Sequence, residues 1–342
     1  MLDFDLLLYT KDLIVFLLFL SLFYYLNVFF KNQKILIDQI YTQSHKAFAT
    51  KNLTPLTGGI FLLFIILTFL NNDYLILKIF LSLIFLNGII SDTNFLENPN
   101  YRFYLQIIVI LFFVYLLDLR IESIRIIYFD DLLKNNYFNI FFVVFCLVLI
   151  VNGFNFIDGL NTLSLGYFIS VILNLKYISN SYGYDLEIIN ESFIIIYLLT
   201  LFLLIFFGIV FLGDSGSYIL GLFLGFIILE VNKNFPEISP WYFALLLWYP
   251  AFEILFSIIR KFLIKNSPFS SDNGHFHQLL FLKVKRLSKN YANPFTACLI
   301  NLYNLVIFYV ASQNIYSSKL NIFLIVSNIL IYLIIFKAIF KK

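Results

Sequence analysis

The chain has 342 residues, of which 61% are hydrophobic and 13% charged, with a mean hydropathy of +0.90. No soluble core absorbs that much apolar sequence, so the composition excludes a water-soluble globular domain and specifies a polytopic helical membrane protein. The formal net charge of +3 is too small to argue for nucleic acid as a partner.

Taken in chain order, apolar runs of roughly 20 residues, the length that crosses a bilayer, predict an all-α fold. About eleven transmembrane helices fall near 12–30, 57–71, 74–91, 102–119, 137–152, 160–178, 192–212, 216–231, 240–263, 292–312 and 320–338. They form a single integral membrane domain over 1–342. The first run is long enough to remain as a span instead of being removed as a signal peptide. The 57–71 run is barely long enough, with an earlier start, upstream of Pro55, as the alternative. Cys146 and Cys298 lie in or beside apolar runs far apart and read as lipid- or core-facing residues without a disulfide.

With 31–55 on the cytoplasmic side, fifteen of the 23 basic residues fall in cytoplasmic segments and eight outside. That bias predicts the N-terminus out and the C-terminus in. The same topology brings every polar cluster to one face: 54–59, 91–102, 152–161, 213–217 and 267–280.

The clusters carry the chemistry. In 54–59, Pro55 fixes the start of the second span and Gly58 and Gly59 permit close backbone approach, with an ordinary helix start as the alternative. At the end of the third span, Asp92 follows Ser91 and is a candidate metal ligand or base, and equally a good cap. Arg102 is placed to meet a phosphate or to anchor the next span at the headgroups. Asn152, Asn155, Asp158 and Gly159 sit between two spans, where polar groups are costly and belong to a protein interior or a water-filled site. A polar turn is the plainer reading.

Further on, small residues flank Asp214 in Gly213-Asp214-Ser215-Gly216-Ser217 and leave its carboxylate accessible. Asp214 or Ser215 is also a candidate cap of the following helix, whose free N–H groups suit an anion. Hard oxygen ligands beside phosphate-binding amides suit Mg²⁺. Glu253 lies three residues beyond Pro250 inside a span, where a carboxylate is either functional or part of an internal salt bridge. His275 and His277 lie in the basic loop 264–291 and are candidate contacts of a phosphate or a soft metal, with a solvated loop as the alternative. Their i, i+2 spacing does not share a helix face, which argues against a two-histidine zinc site.

In this order the clusters resemble the polyprenyl-phosphate N-acetylhexosamine-1-phosphate transferase family. That family includes the UDP-GlcNAc:undecaprenyl-phosphate GlcNAc-1-phosphate transferases and, more distantly, the phospho-MurNAc-pentapeptide translocase. The resemblance runs from about 38 to 280. Its most specific parts are Asn152-x-x-Asn155-x-x-Asp158-Gly159, Gly213-Asp214-x-Gly216-Ser217, and Ser267-Pro268-Phe269 with Asp272 and His275-x-His277.

The resemblance implies transfer of a sugar-1-phosphate, GlcNAc-1-phosphate or a related N-acetylated amino sugar, from a UDP-sugar to undecaprenyl phosphate with release of UMP. It implies Mg²⁺, with Mn²⁺ as the alternative, held by Asp214, Asn155 and Asp92. Asp92, Asp158 and Asp214 take the catalytic roles. Asn152, Asn155, Gly159, Gly213, Ser217, His275, His277 and Arg102 take the substrate-binding ones. The partners implied are the two substrates and membrane lipid, without nucleic acid, and a homodimer is left open. The place implied is the bacterial inner membrane, with the active site on the cytoplasmic face, at the start of an O-antigen- or capsule-type glycan.

The chain departs from the family pattern at four positions. Ser91 stands where the first Asp of an Asp-Asp pair is usual, Asn161 where a second Asp follows the Asp-Gly step, Glu253 where an Asp is usual, and Gln278 where a third His is usual. A transporter with broken helices is the rival class. The one-sided polar clusters and the lack of an internal repeat weigh against it. A family member without catalysis, serving as a scaffold, is the third reading, and Ser91 is its motive.

Overall fold

The computed structural model describes residues 2–37, 54–96, 98–186, 192–263, 274–287 and 291–340. Fourteen α-helices lie among them: α1 (Leu2–Gln33), α2 (Gly58–Phe69), α3 (Leu75–Asp92), α4 (Pro99–Leu116), α5 (Ile127–Leu133), α6 (Asn136–Ile157), α7 (Leu163–Tyr182), α8 (Ser192–Phe206), α9 (Gly213–Asn234), α10 (Pro240–Leu246), α11 (Trp248–Leu263), α12 (Phe276–Leu287), α13 (Ala292–Ser312) and α14 (Ser318–Phe340). No strand forms among the described residues, and the sole β-type pairing there is an isolated bridge between Ile37 and Pro55.

Each of the eleven predicted runs meets a helix or a bent pair of helices. Six of the described helices are long and apolar enough to cross a membrane: α3 with the 3₁₀ turn before it, α4, α6, α9, α13 and α14. The pair α10 and α11, bent by 70°, makes a seventh if it is one span. Three of the runs fall short for physical reasons. At 12 residues α2 is about 18 Å long, short of a hydrocarbon core of roughly 30 Å, and α8 has 15. Ser164, Ser170, Asn174 and Lys176 make α7 too polar. The bend at Leu247 falls three residues before Pro250, whose ring nitrogen has no proton to give to the preceding turn.

Helix α9 is the core of the bundle. Every residue from 215 to 229 is buried, as suits a helix that is apolar on all sides. Around it stand α2, α3, α6 and α7. Small residues set the separations, as is usual between membrane helices. A Cβ added at Gly88 of α3 would lie 2.2 Å from Ser215 Cα, and one at Gly221 of α9 would lie 2.6 Å from Val151 Cα of α6. On the far side α13 packs on α7, α11 packs on α6, and α12 packs on α13 and α14.

Candidate active site

The site begins where α2, α3 and α9 meet. The backbone N–H groups of Gly58 and Gly59 donate to the carbonyls of Phe211 and Leu212 at 2.9 and 3.0 Å, and Phe211 N–H donates to the Pro55 carbonyl at 2.9 Å. These bonds tie the 55–59 segment to the run that leads into α9. The close approach expected of Gly58 and Gly59 is therefore present: a Cβ on Gly59 would strike Ser215 Oγ and Gly216 N at 2.4 and 2.6 Å. Gly213 then turns the chain into α9 at φ +75°, in the left-handed region that a side chain resists.

The anion held at the start of α9 is a side chain of the protein. Asp92, the last residue of α3, accepts from the backbone N–H groups of Asp214 and Ser215 at 2.8 and 3.1 Å. Neither Asp214 nor Ser215 caps its own helix, and the N-cap Leu212 makes no side-chain cap bond. The expectation of free N–H groups there is corrected: Asp92 takes two of them. Its carboxylate keeps further lone pairs, since two oxygens offer about four acceptor sites.

Asp214 is thereby left facing the other polar groups. Asn155 Nδ2 donates to its Oδ1 at 2.7 Å, and Ser91 Oγ donates to its Oδ2. Arg102 Nη1 donates in turn to Ser91 Oγ, so a guanidinium, a hydroxyl and a carboxylate stand in line. Ser217 is fully buried; its Oγ accepts from Asn155 Nδ2 at 3.3 Å and donates to the Asp214 carbonyl at 3.1 Å. One turn further inside, Asn152 Nδ2 donates to Gln106 Oε1 at 2.9 Å. Gln106 is buried and lies four residues after Arg102, on the same face of α4.

The end of α6 leads to a second cluster. Asp158 accepts from Ser164 Oγ at the start of α7. The exposed Gly159 faces His277, whose Nε2 would be 2.5 Å from an added Cβ. The imidazoles of His275 and His277 stack with centroids 5.6 Å apart and planes at 16°. His275 precedes the first residue of α12, so helical periodicity does not set the relation between the two rings. His277 is wholly buried with neither ring nitrogen hydrogen-bonded, and burial pushes its pKa down to about 3. Glu253, 1% exposed, accepts at Oε1 from Phe276 N–H at 3.1 Å and pairs there with His275 Nδ1 at 3.1 Å. Its partner is thus a histidine beyond the loop.

The structure gathers Ser91, Asp92, Arg102, Asn155, Gly213, Asp214 and Ser217 into one cluster, and Gly159, Glu253, His275 and His277 into another. Asn152 and Asp158 flank them on the same helix end. Ser267, Pro268, Phe269 and Asp272 lie outside the described residues. Sequence reasoning missed Gln106, Ser164 and Tyr332, and the signal was present in part: Gln106 is a polar residue inside an apolar run. Among the described residues no group of three His, Cys, Asp or Glu is poised for a metal. The carboxylates of Asp214 and Asp92 are nevertheless hard oxygen donors of the type that suits Mg²⁺, which is commonly held by one or two carboxylates plus substrate phosphates, while Asn155 turns its Nδ2 to Asp214.

A multi-helix membrane bundle with a carboxylate, amide and guanidinium cluster at the joined ends of α3, α6 and α9 is the class defined so far. Residues 74–232, from the turn before α3 to near the end of α9, match the model of glycosyl transferase family 4. It is similar to the undecaprenyl-phosphate alpha-N-acetylglucosaminyl 1-phosphate transferase of Thermotoga maritima, 30% identical over 151 residues. That match spans 42% of this chain and 44% of the relative's length. The matched stretch holds the whole Asp214 cluster, while Glu253, His275 and His277 lie beyond it.

Proposed function

We propose that the protein transfers a sugar-1-phosphate from a UDP-sugar to a polyprenyl phosphate, undecaprenyl phosphate in a bacterial cytoplasmic membrane, and releases UMP. The observation that carries this reading is the line Arg102–Ser91–Asp214–Asn155 at the start of a buried membrane helix. In the reaction an oxygen of the lipid phosphate attacks the β-phosphorus of the UDP-sugar, and the bond from that phosphorus to the bridging oxygen breaks. UMP leaves with that oxygen. The attacking phosphate is already ionised, so positioning and charge stabilisation do most of the catalysis.

The chain's residues divide the work. Arg102 meets phosphate charge. Asp214 is the first candidate ligand for Mg²⁺, with Mn²⁺ as the alternative and with Asn155 and Asp92 as neighbours. A bound divalent ion would neutralise the diphosphate and stabilise the leaving UMP. Ser217 and the Asp92 cap hold Asp214 in place. Asp158, Asn152, Gly159 and Gly213 shape the nucleotide side, and His275 and His277 hold the diphosphate.

The orientation belongs to the same reading. The nucleotide comes from the cytoplasm, so the site faces it, with the N-terminus out, the C-terminus in and about eleven crossings. The product starts a cell-envelope glycan, O-antigen or capsule in type.

The test is initial rate with radiolabelled UDP-sugars, a panel of GlcNAc and deoxy amino sugars, on membranes with undecaprenyl phosphate and Mg²⁺. A lipid-linked, metal-dependent product is expected. Sugar uptake without product would replace the reading by transport. A single cysteine at Asn273, in a background without Cys146 and Cys298, is expected to resist an impermeant reagent applied to intact cells. Ready labelling would invert the topology.

A further inference from the structure

The last helix reaches the histidines. Tyr332, in the middle of α14, is 3% exposed, and its Oη donates to Glu253 Oε2 at 2.8 Å. The other carboxylate oxygen is the one that holds His275 Nδ1 and Phe276 N–H. The tyrosine ring is set from three sides. Phe276 lies 4.6 Å away, and Phe252 and Phe256 meet it edge-on at 5.0 and 5.4 Å. A buried phenol in an apolar helix needs a partner for its O–H, and packed rings leave this one a single direction.

Both oxygens of Glu253 are therefore occupied by groups from different parts of the chain: α14 on one side, the start of α12 on the other. Removing the phenol O–H would leave Oε2 bare in a buried site, which is costly, and the carboxylate would turn to find another donor. His275 and the first N–H of α12 would move with it. His275 also meets Phe156 of α6 edge-on at 5.2 Å, and it stacks on His277, which faces Gly159.

We propose that Tyr332 is a positioning residue. It locks Glu253 and, through it, the ring of His275, so α14 is part of the diphosphate-binding machinery as well as a membrane span. The inference rests on the proposed function, in which His275 contacts the diphosphate of the UDP-sugar.

A double-mutant cycle on the purified full chain decides it. Wild type, Tyr332→Phe, His275→Asn and the double variant are compared for UDP affinity by calorimetric titration and, separately, for transfer kinetics. Tyr332→Phe is expected to weaken UDP binding about tenfold and to raise KM for the UDP-sugar by a similar factor. kcat is expected to stay within about threefold. In the His275→Asn background the same change is expected to add nothing, because the two residues act as one unit. Additive losses would mean a general structural effect and overturn the inference, as would wild-type affinity in Tyr332→Phe. If Tyr332→Phe does not fold, Glu253→Gln takes its place, since it keeps an acceptor for Phe276 N–H but turns an N–H₂ towards Tyr332 or His275. UDP binding without transfer by the wild type would sink the proposed function alone. No UDP binding at all would overturn both.

Discussion

Asp92 of α3 caps α9 across 122 residues of sequence, taking the N–H of Asp214 at 2.8 Å and that of Ser215 at 3.1 Å. A carboxylate at a helix N-terminus is favoured by both the free N–H groups and the helix dipole. Here it also fixes the direction in which Asp214 presents its own carboxylate. Charge and capping can be separated by two substitutions. Asp92→Ala is expected to lower thermal stability by about 1–2 kcal/mol, the usual cost of a lost cap. Asp92→Asn keeps one acceptor and should lose less stability, yet transfer should be abolished in both. Activity that merely follows stability across the pair would reduce Asp92 to a structural cap.

Ser91 joins Arg102 to Asp214. Ser91→Ala breaks that line but leaves both charges in place, and is expected to slow transfer about tenfold, roughly 1.4 kcal/mol of barrier. The check is initial rate at saturating Mg²⁺. An inactive wild type that Ser91→Asp restores would make the protein a scaffold.

Asp214→Asn preserves size while removing the charge that faces Asn155 and Ser91. Near-complete loss of turnover is expected, with normal membrane insertion and a monodisperse purified protein. Activity within a few-fold of wild type would remove Asp214 from the metal site.

Gly88→Ala tests the packing that builds the site. The new Cβ would lie 2.2 Å from a backbone atom of α9, so α3 and α9 must separate. A loss of about 1–3 kcal/mol of stability is expected from overpacking, with a fall in transfer as the Asp92 cap is pulled from Asp214. Unchanged melting and unchanged rate together would show that the two helices do not meet at this distance.

His277 supplies a pH dependence of defined sign. Its folded pKa, about 3, lies below its ordinary 6.5. The unfolded chain therefore binds this proton first as pH falls. The contribution is absent above about 6.5 and destabilises progressively between 6.5 and 3. His277→Asn should flatten part of the acid limb of a thermal-stability profile over that window. A variant whose profile parallels wild type would mean that the ring is solvated or charged in the fold.

The sequence by itself determined the all-helical membrane class, the positions of nearly all helices and the residues of the Asp214 cluster. Helices show in sequence because apolar runs of membrane length have no other stable form in lipid. Asp214, Asn155, Asp92 and Arg102 show because polar groups at the ends of such runs are costly unless used. The number of crossings was less legible: α2 and α8 form as expected but are short, and length alone does not say whether a short helix crosses.

Tertiary structure alone decided who partners whom. Asp92 read as a metal ligand, a base or a cap with no helix assigned, and it caps α9, because Gly88 lets α3 approach that helix end. The histidines looked mismatched at i, i+2, and they stack because one stands outside the helix. Tyr332 gave no sign, since a tyrosine in an apolar span is ordinary until the carboxylate it meets, 79 residues earlier in the chain, is seen beside it. Contacts between residues so far apart are set by how helices pack, and local periodicity carries no record of that.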